Sequence, residues 1–161
     1  MTMAKPNPPA FDPLDVPESN QSRYPEQYRA AHLLRHNRRL GDHAGLKNFG
    51  VNLTRIAPGG RSSQRHAHSR QDEFIYVLDG EATLETNTGP QILRPGMCVG
   101  FPAGSAEAHC FVNNSSSDVL LLVIGDRTAG DQVAYPDIDL HGAPGPDGTL
   151  RFARKDGTPY S

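Results

Sequence analysis

From Leu46 onward the chain is cut into short runs, each ended by glycine, proline, asparagine or serine before a helix could form. Phe49, Val51 and Leu53 alternate with Gly50, Asn52 and Thr54, and Pro58-Gly59-Gly60 breaks that strand. Further runs follow at Arg61 to His68, Glu73 to Leu78, Glu81 to Thr86, Gln91 to Leu93, Met97 to Phe101, His109 to Asn113 and Val119 to Ile124. Asp79-Gly80 reads as a tight hairpin turn. Many short strands with almost no helix between them give an all-β sandwich or closed barrel. The 16 glycines and 14 prolines suit that number of turns.

The flanks differ from this central stretch. Residues 1–40 read as an N-terminal arm, because Pro6, Pro8, Pro9, Pro13 and Pro17 forbid a helix at its start. A short helix is predicted over residues 25–40, with Pro25 in its first turn and Gly41 after its end. Arg35, Arg38 and Arg39 would form a solvated basic face on it. Residues 41–126 form the barrel, and residues 127–161, with Gly-Pro turns from Gly142 to Gly148, an irregular tail packed on it. With 161 residues the chain has the length of one domain.

Charge narrows the partners. A formal net charge of −2 provides no basic stripe for nucleic acid or an acidic membrane. The longest apolar run, Val119 to Ile124, is too short to span a bilayer, and the N-terminus carries no apolar core of signal length. A cytoplasmic location is expected. Cys98 and Cys110 form no CxxC pair and are expected to be reduced, packed thiols.

The histidines carry the chemistry. His66 and His68 are two apart, so in a strand both leave the same face, together with Ser62 and Gln64. Glu73 opens the next strand, and its face continues through Ile75 and Val77, apolar positions suited to a barrel interior. His109 lies in register with Phe111 and Asn113. If all these faces point inward, three imidazoles and one carboxylate converge. A His-x-His pair in a strand is by itself as ordinary as two polar residues on a wet face.

The frame around the pair is more specific. Gly60-x5-His66-x-His68-x4-Glu73-x6-Gly80 resembles the first motif of the cupin superfamily at every fixed position. Gly96-x5-Pro102-x-Gly104-x4-His109-x3-Asn113 resembles the second. The common second motif has two residues between that glycine and the histidine. Here there are four, Ser105 to Ala108, in a loop before the strand. The resemblance implies a double-stranded β-helix, a jelly-roll barrel, with His66, His68, Glu73 and His109 as ligands of one divalent metal ion. Zn, Mn, Fe and Ni all suit that donor set. It also implies a homodimer. Gly60, Gly80, Gly96 and Gly104 are expected to supply positive φ, and Pro102 to mark a strand end.

The whole chain is similar to small bacterial single-domain cupins proposed as sugar-phosphate isomerases, notably through Gly50 to Gly60, Gly125 to Leu140 and the KDGTPY tail. An isomerase needs a metal to polarise a carbonyl and a base to move a proton, and Glu73 is the one carboxylate expected inside. A phosphate needs a cation. Arg61 and Arg65 read as outward, leaving Arg55, Lys47 and Arg94 as candidates. Gln64 shares the histidine face and is a candidate for contact with a small-molecule substrate. Tyr135 and Tyr160 are candidates to close the barrel mouth. Two other readings stand beside the isomerase: an Fe(II)-dependent dioxygenase or lyase of a small polar metabolite, and a metabolite-binding cupin without chemistry.

Overall fold

The structure is a computed structural model and describes residues 9–160. Thirteen strands dominate its regular structure: β1 (Glu18–Ser19), β2 (Arg35–Arg39), β3 (Phe49–Ile56), β4 (Ala67–His68), β5 (Glu73–Asp79), β6 (Ala82–Thr86), β7 (Gly89–Leu93), β8 (Cys98–Phe101), β9 (Cys110–Val112), β10 (Val119–Asp126), β11 (Val133–Tyr135), β12 (Leu140–Pro144) and β13 (Leu150–Ala153). One sheet has the order β1-β2-β3-β10-β5-β8. The facing layer consists of β7-β6-β9 and β13-β12-β11-β4. Isolated bridges Arg61↔Val112 and His66↔His109 join those two pieces into one wall. No helix among the described residues is long and apolar enough to cross a membrane.

Strand parity fills the interior. Ile75 and Val77 on β5, Leu84 on β6, Phe101 on β8, Phe111 on β9 and Val119 and Leu121 on β10 close over Ile56 in one buried cluster. Their alternates Phe74, Tyr76 and Leu78 point outward and are exposed. On β3 the inward members are polar: Asn52 and Thr54 face the same side as Ile56, while Phe49 is exposed.

Several local expectations change. The helix over residues 25–40 is replaced by 3-10 turns at Glu26–Tyr28 and Ala30–Leu34 and then by β2. Tertiary pairing decides this, since β2 runs antiparallel to β3 from Arg35↔Ile56 to Arg39↔Asn52. The basic cluster therefore splits. Arg38 faces Glu18 on the outside, and Arg35 turns into the barrel. The tail is more regular than its glycines and prolines predict, because β11, β12 and β13 form a meander whose first strand pairs with β4. Asp79-Gly80 is no hairpin turn: β5 pairs with β8 and β10, β6 with β7 and β9, so this corner passes the chain between layers. Positive φ falls on Gly59, Gly80, Gly96 and Gly104 and not on Gly60, whose lack of a side chain instead admits Leu34, 2.7 Å from where a Cβ would stand. Pro102 does follow the end of β8. Cys110 is buried as expected, but Cys98 is exposed.

Asn113 ties the loop after β9, donating from Nδ2 to the carbonyls of Ile56 and Ser117 at 2.7 Å each. His32 pins the N-terminal segment. It is fully buried, stacks near Tyr24 with ring centroids 4.6 Å apart, and accepts from Gln64 Nε2 at 3.1 Å. Burial, reinforced by the charges of Arg35 and Arg61, lowers its pKa to about 4.

Two measurements test this packing. A Cβ on Gly80 would sit 2.4 Å from the Asp118 carbonyl oxygen at a φ of 79°, whereas one on Gly96 meets only the Tyr76 hydroxyl at 4.0 Å. Gly80→Ala is expected to cost roughly 2–4 kcal/mol and Gly96→Ala about 1 kcal/mol in denaturant unfolding. His32 is neutral in the fold, so the unfolded chain takes up a proton first as pH falls. Its contribution is nil above pH 6.5 and grows unfavourable down to about pH 4. Wild type should therefore lose about 3 kcal/mol more stability over that window than His32→Gln.

Candidate metal centre

The centre is built on a pairing of two histidines. The His66 N–H donates to the His109 carbonyl at 3.0 Å, and the His109 N–H to the His66 carbonyl at 2.9 Å. This fixes the two backbones in a directly opposed pair, with ring centroids 4.8 Å apart. Strand parity then brings His68 to the same side as His66, with ring centroids 4.9 Å apart. Glu73 enters from the facing sheet at the start of β5.

Its Oε2 collects all three imidazoles. His109 Nε2 lies 2.8 Å away, His66 Nε2 3.5 Å and His68 Nε2 3.6 Å. The ligand atoms of His66, His68 and Glu73 lie within 4.8 Å of one another, and His109 joins the group through Glu73. Each ring is held from behind at Nδ1. His66 Nδ1 faces the Gln64 carbonyl at 2.9 Å and Ser63 Oγ at 3.1 Å. His68 Nδ1 lies 2.6 Å from Asp131 Oδ2, and His109 Nδ1 3.3 Å from the Glu107 carbonyl. A proton kept on each Nδ1 would free each Nε2 to offer its lone pair to an ion in place of the contact with Glu73 Oε2. The donor set and its backing therefore fit a divalent ion.

Electrostatics agree with the geometry. Burial works to raise the Glu73 pKa, but hydrogen bonds from His109 and His66 and the charges of His66 and His68 outweigh it and hold the carboxyl well below its usual range. Burial lowers the pKa of His66, yet Glu73 more than reverses this and raises it. The carboxylate is thus charged at neutral pH.

The four-residue stretch before His109 does not displace it. Ala106 takes a φ of 57°, its carbonyl accepts from Asn87 Nδ2 at 3.0 Å, and Glu107 Oε1 accepts from the Asn87 N–H at 2.7 Å. The loop is tied to the β6–β7 turn, and Phe101 stacks on the His109 ring from the other side.

The centre opens into a cavity of about 250 Å³, at the small end for a metabolite site. Tyr24, Arg35, Asn37, Asn52, Thr54 and Tyr135 also line it. Gln64 does not; its amide reaches His32 and the Tyr28 carbonyl. Tyr160 packs against Tyr28 outside the cavity. Arg55 pairs with Glu18 and Asp118, Arg94 pairs with Glu81, and Lys47 is exposed. Arg61 pairs with Glu85 and Arg65 with Asp137. Sequence reasoning missed Asp131, Arg35, Tyr24, Asn52 and Thr54. Polar residues at alternate positions of a core strand were the available signal for Asn52 and Thr54.

Comparison with known proteins agrees with this architecture. Residues 52–125 match the cupin domain family. A solved sugar phosphate isomerase from a cupin superfamily, from Silicibacter pomeroyi, is 39% identical, covering 94% of this chain and 96% of that one with a TM-score of 0.89. The chain belongs to the cupin superfamily. A solved structure from Acidithiobacillus ferrooxidans, described as a candidate sugar phosphate isomerase, is 34% identical to this cupin over 76% of its chain and 77% of the other, with a TM-score of 0.70. The polyketide cyclase of Streptomyces resistomycificus shares the fold alone, at 24% identity over 77% of this cupin and 80% of the cyclase and a TM-score of 0.61. No curated protein matches the sequence.

Asp131 offers a direct test of the centre. It is buried, and its Oδ1 accepts from the Arg70 N–H at 2.8 Å, so the Oδ2 that faces His68 is fixed. Asp131→Asn should weaken divalent-metal binding by about 10–100-fold in chelator competition while leaving the unfolding midpoint of the metal-free protein within a few degrees.

Proposed function

We propose that this cupin is a metal-dependent isomerase of a sugar phosphate. The observation that carries the reading is the convergence of three imidazole Nε2 atoms on Glu73 Oε2, each ring backed at Nδ1, at the wall of a cavity inside the barrel. Similarity over 94% of the chain to the Silicibacter pomeroyi isomerase supports the reaction class.

His66, His68, Glu73 and His109 would hold the ion. A divalent ion bound there would polarise a substrate carbonyl and acidify the neighbouring C–H. The chain's own task is then to move a proton between adjacent carbons. Glu73 is the one carboxylate lining the cavity, and it is ionised at neutral pH, so it can accept that proton. All its histidine contacts run to Oε2, which leaves Oε1 for the transfer. Ile75, Phe111 and Val123 form the apolar side of the cavity and limit water at the reacting carbons.

The test combines elemental analysis with turnover. The protein is expected to take up one equivalent of Mn, Fe, Ni or Zn, and the His66→Ala, His68→Ala double variant to take up none. Metal-loaded protein should exchange the C2 proton of an aldose phosphate with deuterated solvent without consuming oxygen. Glu73→Gln should lower the exchange rate by about 100-fold or more. Absence of stoichiometric metal under every loading condition, or turnover that needs ferrous iron and consumes oxygen, would sink the isomerase reading.

A further inference from the structure

One arginine of this barrel faces inward. Across β2 and β3, Arg35 is paired with Ile56 and Asn37 with Thr54. Directly paired residues of antiparallel strands share a face, and Ile56 and Thr54 are buried in the interior. Arg35 therefore lines the same cavity as His66, His68, Glu73 and His109. The alternates His36 and Arg38 turn outward to Glu18.

Among the described residues that line the cavity, Arg35 is the one arginine. Arg55, Arg61, Arg65, Arg94 and Arg127 each meet a carboxylate. Arg35 meets none among the described residues. Its Nη1 donates to the Ser62 carbonyl at 2.6 Å, while Nε is buried without any hydrogen-bond partner. A guanidinium does not shed its proton in proteins, so the charge stays. Burial lowers its pKa from the ordinary value, the direction expected of an uncompensated cation. Tyr24 and Tyr135 line the same cavity, and burial raises both phenol pKa values, so neither supplies a negative charge. A half-buried cation without an anion burdens the fold unless something in the cavity balances it.

The free edge of the guanidinium has the right chemistry for that. With Nη1 engaged, Nε and Nη2 remain, and together they form the side that receives two oxygens of a phosphate or carboxylate. Ser62, Ser63, Asn37 and Asn52 line the cavity beside it with hydroxyl and amide donors.

We propose that Arg35 anchors the oxyanion of this protein's substrate. The anchor stands on the contacts above; naming its ligand a phosphate monoester rests on the isomerase reading. Arg35 and the histidines share one small cavity, so a single metabolite spans both, its phosphate on Arg35 and its carbonyl end towards the metal centre. β2 precedes the matched cupin domain, so the N-terminal segment adds this specificity to the barrel.

The experiment is titration of metal-stripped protein with inorganic phosphate, read by calorimetry and by thermal unfolding. Wild type and the His66→Ala, His68→Ala double variant should bind phosphate equally, and both should bind acetate more weakly. Arg35→Met keeps the aliphatic stem and removes the charge. It should lose phosphate affinity by about tenfold or more. Its unliganded Tm should match or exceed that of wild type, whereas a merely structural arginine would lower it on removal. Arg35→Lys retains the charge without the fork and should bind phosphate with intermediate affinity; it carries the comparison if Arg35→Met does not fold. Equal phosphate affinity in wild type and the Arg35 variants, or no phosphate binding by wild type, overturns the proposal. Preference for acetate over phosphate overturns the phosphate assignment. Phosphate binding by a wild-type protein that takes up no metal under any loading condition defeats the metal-isomerase reading and leaves the Arg35 anchor standing.

Discussion

The reciprocal backbone pairing of His66 with His109 is the contact on which the rest of the molecule depends. It closes the wall between β9 and the segment leading into β4, and so turns two short sheets into one face of a barrel. The same two hydrogen bonds bring together residues 43 positions apart and set their rings against each other. Barrel closure and site assembly are therefore one event. A slip of one residue in this register would send His66 and His109 to the opposite face and open the wall.

Around that pairing the charges are arranged in pairs that complete one another. Glu73 is half-buried, yet it stays ionised because the imidazoles surround its Oε2. Asp131 holds His68 from behind and is itself held by the Arg70 N–H and Ser69 Oγ. Arg35 is the exception, a cation facing the same space with no acid to meet it. An anion bound in that space would balance it.

Much of the site comes from outside the matched cupin domain. The family match ends at residue 125 and begins at residue 52, but Tyr24, Arg35 and Asn37 come from before it and Asp131 and Tyr135 from after it. The N-terminal segment reaches the cavity because β2 extends the sheet beyond β3. The C-terminal meander reaches it because β11 pairs with β4, directly beside His68. The barrel supplies the histidine and glutamate cluster, and its additions supply Asp131 behind His68 and part of the polar cavity lining.

His66, His68 and Glu73 were legible from sequence because eight residues hold them in fixed spacing and strand parity is a local rule. His109 was legible through its motif even with the longer loop, since the extra residues bulge outward and are tied to Asn87. The all-β class and the inward face of Ile75 and Val77 followed from the same alternation. Asp131, Arg35 and Tyr24 were not legible. Each reaches the site only through strand pairings or side-chain contacts between segments far apart in the chain, and no local period records which strand will lie beside which. The tail and the residues of β2 carried turn and helix signals that pairing overrode, because a hydrogen-bonded neighbour outweighs the small propensity differences of a short segment. Sequence alone determined the barrel and the His66, His68 and Glu73 cluster, where the governing geometry spans a few residues. Tertiary structure decided what backs those ligands and what faces them, because those contacts exist only once the sheets have closed.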